Sequence, residues 1–315
     1  MRTGHLEGLI AAPFTPMKRD GSLNLSQIPL YYEMLRANGV KGAFICGSTG
    51  EGVSLTNAEK KQVAEAWAKA ANGSSDFKII TLLGGTSITD CRDLAIHAKE
   101  IGLFAVAFTA PFYFKPATVH MLADTCAEVA AAVPAMPFYY YHIPALTGVG
   151  LPMYELLQAI DGRIPNFAGI KYTHEDFMDF LSCMNFQSGK YDMLWGRDEN
   201  MLPALSIGTK AAVGSTFNYA PSLYLDMIDA FNKGDLAKAK DLQQISIDMI
   251  RLLGKYGGIA TGKAYMKLIG LDCGNFRLPV KNVTDEGFEQ FKKDTEKLGF
   301  QKFCSRLPSG TTVPQ

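Results

Sequence analysis

A lysine closes the apolar run NFAGIK at position 171. Bound to so apolar a strand, Lys171 either lays its methylenes along the surface and keeps its ammonium in water, or it stays buried and loses basicity with its hydration. A buried neutral amine attacks a ketone, and the iminium it forms draws electrons from the adjacent carbon, which is the chemistry of lysine-dependent aldolases and dehydratases. The strand position alone leaves both readings open. Thirty residues earlier, FYYYHIP places three tyrosines where a buried strand normally carries aliphatic residues. Tyr141 closes that run and can pass a proton to and from a hydroxyl if its surroundings tune the phenol, although a strand tyrosine also serves as core filling. Tyr139 shares its face, and Tyr140 should point the other way.

Other chemistry-bearing segments sit at comparable places. CGSTGEG offers the hydroxyls of Ser48 and Thr49 among glycines that let backbone amides approach an anion, or else forms an ordinary tight turn. It lacks the Gly-Lys-Ser/Thr ending of a triphosphate loop, so a carboxylate-sized ligand suits it better. WGRDEN supplies Gly196, Asp198 and Glu199, and VGSTFN supplies Ser215 and Thr216. Each could cap a helix, and together they could hold several hydroxyls of a polyol. The five histidines are not spaced as metal ligands, no H-E-x-x-H or G-x-S-x-G occurs, and neither a metal nor a cofactor is expected.

Elements that could bring these groups together recur with regular spacing. Short apolar runs at 8–12, 42–46, 78–83, 103–108, 137–142, 167–171, 192–196 and 211–214 read as eight strands. Amphipathic stretches lie between them, with a capping box at Thr56 and Glu59 and closing glycines at Gly39 and Gly102. Alternating strands and helices with uninterrupted apolar strands predict a parallel sheet buried on both faces, and eight units predict a (β/α)₈ barrel. Its catalytic groups would then stand on the rim formed by the strands' C-terminal ends. Beyond the eighth unit the pattern turns purely helical at 220–232, 236–253, 259–268 and 285–297. We therefore expect a barrel over 1–233, three appended helices over 234–304 and a polar, frayed tail over 305–315.

With 31 basic and 31 acidic side chains the net charge is zero, which favours neither nucleic acid nor an anionic membrane. No apolar run is long enough to span a bilayer, and none at the N-terminus reads as a signal peptide, so a cytoplasmic location and a small-molecule partner are expected. The six cysteines stand singly, as reduced structural thiols.

These residues carry a resemblance. GSTGE after the second strand, Tyr141 followed by Ile143 and Pro144, and a sixth-strand Lys171 are similar to the marks of the pyruvate-dependent class I aldolases typified by N-acetylneuraminate lyase and dihydrodipicolinate synthase. The likeness runs from about Leu6 to Phe300. It implies that Lys171 forms the Schiff base, that Tyr141 shuttles the proton, and that Ser48 and Thr49 hold the substrate carboxylate. Thr173, Gly196, Asp198, Glu199 and Ser215 would contact the hydroxylated chain, and Tyr113 of APFYF would support the shuttle from a neighbouring subunit of a homotetramer. Dihydrodipicolinate synthases carry an arginine where Leu146 stands here, so a second substrate carboxylate loses its anchor. YYYHIPALTGV, WGRDE and AVGSTFNY look like segments of the animal sialic-acid-cleaving members, which implies a keto sugar acid and pyruvate as the small molecules handled. The remaining expectations are an aldolase or dehydratase for another keto-deoxy sugar acid, and a sugar-acid-binding protein without catalysis.

Overall fold

The computed structural model describes residues 5–308. Eight parallel strands close in sequence order: β1 Gly8–Ala11, β2 Gly42–Ile45, β3 Lys78–Leu82, β4 Ala105–Thr109, β5 Phe138–His142, β6 Phe167–Tyr172, β7 Asp192–Trp195 and β8 Ala211–Gly214. Pairing of β1 with β8 completes the ring, giving the expected (β/α)₈ barrel. Only β8 keeps the bounds read from the sequence; the other strands differ by a residue at one end, except β4, which differs at both. β4 begins at Ala105 rather than Leu103, and β6 runs one residue past Lys171 to Tyr172. Leu103 is claimed by the close of the preceding helix, its amide donating to Ala98.

The helices that follow the strands are α1 Ile28–Ala37, α2 Asn57–Ala71, α3 Ile88–Glu100, α4 Val119–Ala130, the single turn α5 Pro144–Thr147 with α6 Met153–Ile160, α7 Phe177–Asn185, α8 Met201–Ser206 and α9 Pro221–Asn232. Three more follow, α10 Leu236–Lys255, α11 Thr261–Leu268 and α12 Asp285–Leu298. The Thr56–Glu59 capping box starts α2, and Gly39 and Gly102 adopt the positive φ that ends a helix without a Cβ penalty. None of these helices is long and apolar enough to cross a membrane.

Strand alternation sorts the core into two layers. Ile10, Phe44, Ile80, Leu82, Tyr139, Tyr141, Leu194 and Val213 fill the barrel, while Tyr140, Ile170 and Tyr172 face the helices with a much larger apolar cluster. The C-terminal helices dock through α10 on α9 and through a stack of Tyr265 on Tyr219, ring centroids 4.4 Å apart. The polar tail expected from Ser305 begins tethered: Ser305 is buried and donates its amide to Tyr219, and Arg306 exchanges two bonds with Asn38. Residues 309–315 lie outside those described. All six cysteines are free, five of them buried.

Candidate active site

Register brings the lysine and the tyrosine together. An irregularity at Phe138/Tyr139 shifts the β5–β6 pairing, after which Tyr141 lies level with Lys171, and Thr109 of β4 pairs with Tyr141 on its other side. Both side chains point into the barrel because each alternates with an outward-facing residue. Lys171 Nζ lies 3.9 Å from the Phe44 ring centroid and 4.0 Å from that of Tyr141, and the two rings meet edge to face at 5.4 Å. The lysine is 4% exposed and forms no hydrogen bond or ion pair with any described residue. Burial pushes its pKa down to about 7, against the opposing pull of the Asp198 carboxylate. The aromatic faces favour the ammonium only weakly, so an appreciable fraction of the amine is neutral near pH 7.

Burial also raises the pKa of the Tyr141 phenol, while the Ser48 and Thr173 hydroxyls beside it work in the opposite direction. Thr173 Oγ1 is enclosed and has no hydrogen-bond partner among the described residues, leaving it able to meet a ligand. Gly196, directly after β7, lets Thr173 take that place: a Cβ on Gly196 would lie 1.9 Å from Thr173 Oγ1. Asp198 is 6% exposed and accepts from both the amide and the hydroxyl of Thr216 at 2.9 and 2.6 Å. Burial raises its carboxyl to about 7 despite those two bonds. Space for it comes from Gly214, whose added Cβ would stand 2.2 Å from Asp198 Oδ1. Ser215 is half-buried between Gly214 and Thr216.

Ser48 and Thr49 lie in a loop that folds back on itself, with Cys46 and Glu51 at positive φ and the Gly52 amide donating to Gly47. Glu51 ties this loop to the appended helices. Its Oε1 accepts from Lys263 at 2.7 Å in a pair with both side chains 3% exposed, and its Oε2 accepts the Arg277 amide at 2.8 Å. Such a pair, fully bonded, holds geometry more than it adds stability. Glu51 was not among the residues singled out from the sequence; a carboxylate set among glycines was the available signal, but its partner lies 212 positions away.

Two other groups also escaped the sequence reading. Phe44 walls the lysine, and Arg197 bridges Glu175 and Glu199 at 2.8 and 2.6 Å. Glu199 is therefore engaged by that arginine as well as standing on the rim. His142 packs against His174 and Tyr172, ring centroids 5.6 and 5.1 Å apart, and burial drops the His142 pKa to about 3, so that ring is neutral and part of an aromatic wall. Tyr113 is the one expected site residue not gathered here. It is 79% exposed, packed edge to face on the equally exposed Phe114.

The arrangement can condense an amine with a ketone, move a proton on and off Tyr141, and receive hydroxyls along the β6 to β8 rim. Comparison with known proteins points the same way. The dihydrodipicolinate synthetase family model matches residues 5–298. The chain is 40% identical over 302 residues to N-acetylneuraminate lyase of Homo sapiens, covering 95% of this chain and 94% of that protein. It superposes on Proteus mirabilis N-acetylneuraminate lyase with a TM-score of 0.91 at 39% identity, covering 94% of this chain and all of the other. A Ruminococcus gnavus sialic acid aldolase, solved as a catalytic lysine mutant, aligns with a TM-score of 0.87 at 26% identity, covering 94% and 97% of the two chains.

Proposed function

The chain belongs to the dihydrodipicolinate synthetase family, and we propose that it is a Schiff-base aldolase that reversibly cleaves N-acetylneuraminate to N-acetylmannosamine and pyruvate. The observation that carries this reading is Lys171, buried between Phe44 and Tyr141 with its pKa drawn down to about 7. Lys171 Nζ adds to the ketone of the open-chain sugar acid and water leaves, forming an iminium. Tyr141 takes the proton of the C4 hydroxyl, the C3–C4 bond breaks, and its electron pair passes into the iminium to give an enamine. N-acetylmannosamine departs as the aldehyde. The enamine takes a proton at C3 and hydrolyses to pyruvate, freeing the amine. The iminium is the electron sink, so the scheme calls on no metal.

Ser48 and Thr49 hold the carboxylate in this scheme. Thr173, Gly196, Asp198, Glu199 and Ser215 receive the hydroxylated chain, which the unpartnered Thr173 hydroxyl supports. Leu146, 67% exposed on α5, offers nothing to a second carboxylate, which favours a sugar acid over a dicarboxylic partner. Tyr113 would reach a neighbouring subunit's site in a homotetramer; its exposure beside Phe112 and Phe114 supports a contact surface there. We place the protein in the cytoplasm and divide it into a barrel over 1–233 and packed helices over 234–304.

Borohydride reduction in the presence of pyruvate, followed by peptide mass mapping, is expected to add the three-carbon fragment to Lys171. Pyruvate release from N-acetylneuraminate should exceed that from 2-keto-3-deoxygluconate. Label on another residue would overturn the mechanism, and the reverse preference would overturn the substrate.

A further inference from the structure

A second cleft, of about 770 Å³, opens between the segment after β1 and the α11–α12 region. Lys18 and Arg19 project from the first wall and Lys267 from the second, and among the described residues none of the three forms an ion pair. Lys267 Nζ rests 4.7 Å from the Phe288 ring centroid at the cleft edge. Asp272 and Asp285 also border the space, and Asp272 already accepts the Gly274 amide. The unpaired charge is thus predominantly positive and converges from two independent elements.

The floor carries an independent feature. Gln27 is 5% exposed and lines the cleft, yet its side-chain amide has no hydrogen-bond partner among the described residues, its Oε1 being enclosed. Buried amides are nearly always bonded, and the unpartnered Oε1 accepts from a hydroxyl, whereas an anion offers it no donor. Lys263 borders the same floor and is the residue that holds Glu51 of the Ser48–Thr49 loop.

We propose that this cleft is a second small-molecule site, separate from the Lys171 centre, that takes a phosphorylated polyhydroxy compound. Lys18, Arg19 and Lys267 hold the phosphate, and Gln27 holds a hydroxyl. A free phosphate ion shares the anionic contacts and lacks the hydroxyl contact, which is the basis for discriminating between them.

Calorimetric titration of the full chain with glucose 6-phosphate, inorganic phosphate and glucose tests this. Saturable binding of glucose 6-phosphate is expected, at least about tenfold tighter than inorganic phosphate, with glucose too weak to detect. A Lys18→Gln/Lys267→Gln double variant, altered only at exposed positions, should weaken it by about tenfold or more. Gln27→Leu should remove the preference over inorganic phosphate, with a thermal melt reporting whether that buried change is tolerated. Binding should survive in Lys171→Ala. The proposal is overturned by no saturation up to about 10 mM, by unchanged affinity in the double variant, by loss of binding in Lys171→Ala, or by equal affinity for inorganic phosphate. None of these outcomes depends on whether the enzyme cleaves N-acetylneuraminate.

Discussion

The two ends of the barrel interior use similar residues to opposite effect. At the base, Asp192 at the start of β7 accepts the Tyr139 hydroxyl on one oxygen at 2.7 Å and the Leu6 amide on the other, where the His5 ring also lies at 2.7 Å. At the mouth, the same strand, β5, presents Tyr141, and the matching acid is Asp198, but among the described residues Lys171 has no hydrogen-bond partner and the Thr173 hydroxyl is unused. A tyrosine–carboxylate pair that is fully satisfied is structure. Left partly unsatisfied around a buried amine, the same groups are poised for a ligand, and the two groups that burial brings to about 7, Lys171 and Asp198, both stand at the mouth.

Substitutions that exchange the two ends' roles are the direct way to break this contrast. Lys171→Ala should reduce kcat by roughly 10⁴-fold or more while leaving the melting temperature close to that of the parent, since it removes a buried charge that nothing pairs. Steady-state pyruvate release and a thermal melt check both halves. Tyr141→Phe should lower kcat by about 10²–10³-fold and still permit borohydride trapping at Lys171, separating proton transfer from imine formation.

Away from the reacting groups the loss should move from rate to stability. Glu51→Gln leaves Lys263 buried without its counter-charge and should cost about 3–5 kcal/mol in urea unfolding. Asp192→Asn at the base should cost about 1–3 kcal/mol with kcat unchanged; a large loss of kcat there would remove the distinction between base and mouth.

The smallest expected effect concerns pH. Below about 7 the Lys171 amine is protonated and cannot add to a ketone, so kcat/KM should climb with pH through that region and level off above it. Asp198 holds the lysine pKa up, so Asp198→Asn should move the midpoint to lower pH. A shift to higher pH in the rate profile would show that the carboxylate does not act on the amine.

Much of this was readable along the chain because it is local. Continuous apolar runs of five or six residues specify buried parallel strands, and the Thr56–Glu59 box and the closing glycines Gly39 and Gly102 mark where helices begin and stop. Period-two alternation likewise put Tyr139 and Tyr141 on one face and Tyr140 on the other. Lys171 and Tyr141 could be nominated as odd residues at strand ends for the same reason.

What the chain could not decide by itself was whether Lys171 snorkels or stays buried, because that depends on Phe44 and Tyr141 arriving from separate strands, 127 and 30 residues earlier in the chain. The same holds for Glu51, whose partner Lys263 belongs to a helix in the appended region, and for Asp198, which fits only because Gly214 has no side chain. Composition and periodicity act through neighbours in sequence and so determine the barrel and its rim. Desolvation and ion pairing depend on what closes around a group in three dimensions, and only barrel closure turns a strand-end lysine into a buried amine of lowered basicity.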